Sequence, residues 1–63
     1  MAIANASAGQ LITMRTRLYE METLLNQLLQ KRNTATTIDT AEVTALGTAV
    51  TNLKSAVDAV AAA

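Results

Sequence analysis

The sequence predicts an all-α fold: an antiparallel two-helix hairpin, with a helix over about 8–32, a loop over about 33–39 and a helix over about 40–61. Three observations predict it. Apolar residues recur at alternating spacings of three and four in both halves. A polar, charged break separates the halves. The apolar positions of one half then pair with those of the other in a single register. A strand would need period two, which neither half shows.

Residues 1–6, "MAIANA", form an apolar N-terminal arm carrying Met1 and Ile3, and residues 7–63 form the hairpin. Asn5-Ala6-Ser7 fits a glycosylation sequon. The opening has neither the basic region nor the long apolar stretch of a classical signal peptide, so the triplet is better read as chain entering a helix. Ser7 is the expected N-cap. Gln10, three residues on, completes a capping box in which each residue bonds the other's backbone N–H. Leu11, Met14, Leu18, Met21, Leu25 and Leu28 follow at spacings of 3, 4, 3, 4, 3, an a/d heptad over three repeats. Lys31 and Arg32 place positive charge at the end of the helix, where the dipole is negative. Asn33 is a candidate for a left-handed residue just past it.

The connection "NTATTID" has a normal length for antiparallel helices. Asp39 and Glu42 are the N-cap and third helical residue of the second helix. The carboxylate of Asp39 can accept from the free first-turn N–H groups, and Glu42 can reach back to the Asp39 N–H. Ile38 and Val43 stand where a hydrophobic staple would close the turn. An acidic pair could also serve a metal or acid–base site, but no further ligand or base stands nearby in sequence, so capping is the better account. Val43, Leu46, Val50, Leu53, Val57 and Val60 repeat the spacings of the first helix.

Paired core positions in an antiparallel hairpin have a constant sum of residue numbers. Leu28 with Val43, Leu25 with Leu46, Met21 with Val50, Leu18 with Leu53, Met14 with Val57 and Leu11 with Val60 all give 71. This register sets Lys31 near Glu42, Leu24 near Ala49 and Arg17 near Ala56. It also sets Arg15 near Lys54, a like-charge conflict worth under about 1 kcal/mol at a solvated site.

Composition bounds the function. Sixty-three residues allow one small domain. With no Cys and no His there is no disulfide, no thiolate nucleophile and no ordinary zinc site. A chain this small then needs oligomerisation or docking to complete a bundle. Five basic residues balance five acidic ones and Tyr19 is the sole aromatic, which argues against nucleic acid as a partner and leaves no base-stacking platform. No apolar run is long enough to span a membrane. Ser7 and Ser55 lack any activating neighbour. Glu20 and Glu22 diverge by about 200° on a helix. No catalytic, cofactor-binding or metal residue is expected, and the chain is read as soluble and not an enzyme.

The surface is more informative. Met1, Ile3, Ile12, Tyr19, Leu24, Leu29, Ala45, Gly47 and Thr48 form the candidate partner interface. Between Thr40 and Ala63 only Glu42, Lys54 and Asp58 are charged, whereas an ordinary soluble surface carries about 25–35% charged residues. In length and layout the chain resembles the small helical-hairpin dimers that form four-helix bundles, although it shares no residue motif with them. The expected role is a non-catalytic structural or assembly protein whose partners are copies of itself or subunits of a larger complex. A minor virion component is the most concrete version: capsid, collar or fibre-associated. The alternative is a free homodimeric four-helix-bundle regulator or adaptor, with RNA as one candidate ligand.

Overall fold

The computed structural model describes residues 5–34 and 37–63. Two helices, α1 over Ala8–Asn33 and α2 over Thr40–Ala62, pack against each other as a hairpin. The rod measures 46 × 16 × 16 Å. Met1 and Ile3 lie outside the described residues.

Both helix starts are built by reciprocal caps. Ser7 is extended (φ −74°, ψ 159°). Its Oγ accepts from the Gln10 N–H at 3.1 Å, and its own N–H donates to Gln10 Oε1 at 2.8 Å. Asp39 repeats the arrangement (φ −92°, ψ 167°). Its Oδ1 accepts from the Glu42 N–H at 2.9 Å, and its N–H donates to Glu42 Oε1 at 3.3 Å. Each box satisfies two groups that a helix end otherwise leaves open. Ile38 and Val43, the expected staple, both lie at the surface.

The end of α1 differs from expectation. Asn33 is the last helical residue, and Thr34 closes the helix with φ −95° and ψ 7°, which is not left-handed. The Thr34 N–H donates to the Gln30 carbonyl at 3.0 Å and its hydroxyl donates to the same oxygen at 3.1 Å. A threonine that serves the last turn with both donors removes the need for a left-handed residue.

The helices meet on a narrower arc than the apolar pattern suggests. With the heptad written abcdefg and a at Leu11 and Val43, the half-buried positions of α1 are Gln10, Met14, Arg17, Met21, Leu24, Leu28 and Lys31. These are d and g. On α2 the buried or half-buried positions are Glu42, Leu46, Ala49, Asn52, Leu53, Ala56, Val60 and Ala61, which are d and g except for Asn52 at c and Ala61 at e. Among the described residues only Ala49 (5% exposed), Ala56 (9%) and Val60 (3%) are buried.

The expected twelve-residue seam is therefore corrected for its a positions. Leu11, Leu18, Leu25, Val43, Val50 and Val57 lie at the surface, and the line of contact is turned by about 50° toward g. Side-chain size and charge account for the turn. Alanines at two g positions of α2 let the backbones close, with Leu24 beside Ala49 along one groove. Lys31 and Glu42, also g positions, form an ion pair between the helices. Two helices can cover only one stripe of each other, so a stripe as wide as a, d and g together stays partly open.

Candidate protein-interaction surface

The turned seam divides the hairpin into two unlike long faces. The a face carries three leucines from α1 and three valines from α2: Leu11 (41% exposed), Leu18 (38%), Leu25 (45%), Val43 (57%), Val50 (48%) and Val57 (39%). Antiparallel pairing places all six on the same side. A groove of about 370 Å³ runs between the two ridges, lined by Leu11, Met14, Arg15, Leu18, Leu53 and Val57. Leu18 and Leu53, and likewise Met14 and Val57, line this groove together.

Opposite lies a face of small and polar side chains. One groove on it, about 380 Å³, is lined by Glu20, Thr23, Leu24, Ala45, Thr48, Ala49 and Asn52. A second one near the chain ends is lined by Ser7, Gly9, Gln10, Thr13, Ala56 and Ala59. Among the described residues this side presents no continuous apolar ridge.

The expected interface residues divide between these surfaces. Ile12, Tyr19 and Leu29 are more than half exposed and extend the apolar surface of α1 beyond the a ridge. Leu24 is half-buried against its own second helix. Ala45 and Thr48 are exposed on the small, polar side. Gly47 is exposed at an e position, next to the a face, and a Cβ added there would meet nothing within 4 Å. In sequence the a positions read as part of the intramolecular seam, so they fall outside the interface expected there. The signal that could have moved them was present: Ala49 and Ala56 recur at a spacing of seven, each opposite a larger g residue of α1.

Most charge is engaged within the chain. Arg17 pairs with Glu20 at 3.2 Å and Lys54 with Asp58 at 2.7 Å, while Lys31 bonds Glu42. Glu42 Oε1 thus receives both the Lys31 ammonium and the Asp39 N–H. Three of the chain's five cations are neutralised locally, which leaves little for phosphate binding. Among the described residues no three acidic side chains gather as a metal cluster, and no helix is long and apolar enough to cross a membrane. No protein-family model, no curated protein and no solved structure matches the chain.

Proposed function

We propose that this chain is a non-catalytic assembly protein, a small helical-hairpin subunit of a larger complex. One observation carries the reading. Six large aliphatic side chains stand exposed along one face, while only three residues are buried among those described. Contiguous apolar surface of this kind marks a site of protein contact. The charge-poor, Ala- and Thr-rich α2 supports it too, because small side chains let a neighbouring backbone come close. A minor virion component, attached to a phage capsid, collar or fibre, is the most concrete form of the proposal. The small size and low charge suit such a repeated decorative or joining subunit.

Native mass spectrometry of the chain recovered from its source tests this. The expected result is a complex far heavier than a few copies of the 6.6 kDa chain. Recovery only as free monomer or dimer would sink the proposal and favour the second reading, a free homodimeric regulator or adaptor. The continuity of the apolar face supports that second reading. Its RNA-binding version is weakened by the pairing of Arg17, Lys31 and Lys54.

A further inference from the structure

We infer that the occupant of the a face is a second copy of this hairpin, docked about a two-fold axis with its loop at the opposite end of the rod. Self-docking rests on the reading of the a face as a protein-contact surface and names what covers it; a larger complex would then be joined through the remaining faces of the pair.

The size of the face fits. The 26 residues of α1 span about 39 Å. Over the 16 Å width of the rod this is roughly 600 Å² in projection, the scale of the ~800 Å² per partner in ordinary stable interfaces. A four-helix bundle also gives every helix two neighbours. The d and g positions then face the partner helix in the same chain, and a and e face the other copy. This division is the one the hairpin shows, with d and g in contact and a left open.

Charge complementarity selects the orientation. In an antiparallel pair the e positions flank one side of the contact, as the g positions Lys31 and Glu42 flank the other side within the hairpin. Let α1 overlap the α1 of the other copy over Leu11 to Leu28. Leu18 then stands beside the partner's Met21, and Arg15 beside the partner's Glu22. Symmetry repeats the attractive pair. In the same assembly α2 overlaps the other α2, and Lys54 lies beside the partner's Gly47. The open space over Gly47 accommodates a lysine stem.

Both overlaps share one centre. It lies between Leu18 and Met21 on α1, and between Val50 and Leu53 on α2. These positions are level in the hairpin register, so a single two-fold axis satisfies both contacts. The alternative puts both loops at the same end and packs α1 on the other copy's α2. Arg15 would then face the partner's Lys54 twice, with no compensating pair.

Sedimentation of the full chain with charge reversals tests this. The wild type is expected to form a discrete dimer. Arg15→Glu and Glu22→Arg should each weaken it by about tenfold, since two solvated pairs turn repulsive. An equimolar mixture of the two variants should restore dimerisation, as should R15E/E22R in one chain. Circular dichroism of each variant confirms that helix content is retained. Spin labels on Thr37→Cys should report a distance near the 46 Å length of the rod. A chain that stays monomeric at all concentrations, folded or unfolded, would overturn self-docking. So would tightening by Arg15→Glu, a short distance between labels, or the absence of rescue on mixing. A monomer that still enters a heavier native complex would overturn self-docking alone and leave the assembly reading standing, with a different protein on the a face.

Discussion

Thr48, Ala49 and Val50 are consecutive, yet they belong to three different environments. Ala49 is buried against α1, Val50 stands on the apolar face, and Thr48 lies on the small, polar one. The two long faces of the hairpin are thus unequal. One has aliphatic ridges with a groove between them, and the other has short side chains with no ridge. Apolar surface in excess of what two helices can bury between themselves has been placed on one side only. That asymmetry separates what holds the hairpin together from what is left for a partner.

One substitution made at three adjacent sites breaks or confirms this division. Ala49→Asp would bury an unpaired carboxylate where no partner charge is at hand. A cost of several kcal/mol is expected, and a chain with so small a core should lose most of its helical circular dichroism. Val50→Asp should leave the d/g contact intact while removing apolar area from the a face. Val50 is already half covered in the hairpin, so each of the two copies per dimer loses about 1 kcal/mol, read as a weaker concentration dependence of the melting temperature. Thr48→Asp should stay within about 0.5 kcal/mol in the isolated protein. A large effect at Thr48, or none at Val50, would exchange the roles assigned to the two faces.

The helix starts are encoded locally in the sequence, whereas the rotation of the helices about their axes is not. Ser7 with Gln10 and Asp39 with Glu42 sit within a few residues of each other, and their chemistry marks a helix start without help from tertiary structure. The Lys31–Glu42 pair was also legible, because a constant register needs only the pairing of two periodic stripes. Which part of a wide stripe turns inward is another matter. It depends on side-chain size on both helices together, and here Ala49 and Ala56 draw the contact toward g. A heptad pattern marks an apolar stripe and does not say which neighbour covers each position, so the six a residues read as part of the internal seam although they are exposed in the hairpin. Asn33 failed for a smaller reason: Thr34 could satisfy the last turn itself.

Glu42 offers a finer test, since it acts in both the cap and the seam. Its Oε1 accepts from the Asp39 N–H and from Lys31. Glu42→Ala should therefore cost more than Lys31→Ala. Loss of the hydrogen bond from the Asp39 N–H contributes about 0.5–1.5 kcal/mol, and the partly exposed ion pair adds at most about 1 kcal/mol. A double-mutant cycle by chemical denaturation should give a coupling below about 1 kcal/mol between the two. Equal single effects would mean that the cap contributes nothing measurable and that the inter-helix pair alone matters.

The smallest effect is the most discriminating in sign. Gly47 lies mid-helix, where alanine is favoured by up to about 1 kcal/mol. Nothing within 4 Å of an added Cβ opposes the change inside the hairpin. If the hairpin were the whole structure, Gly47→Ala should stabilise it at every protein concentration. If a second copy lays its Lys54 stem over Gly47, the methyl group takes up part of the space that stem needs. The gain in helix propensity should then appear in dilute protein and shrink as concentration rises. Thermal melts of wild type and variant over a hundredfold concentration range measure this directly. A gain that is constant across the series would show that the glycine is not at a close approach between copies, and would remove one of the two contacts on which the opposite-end dimer is built.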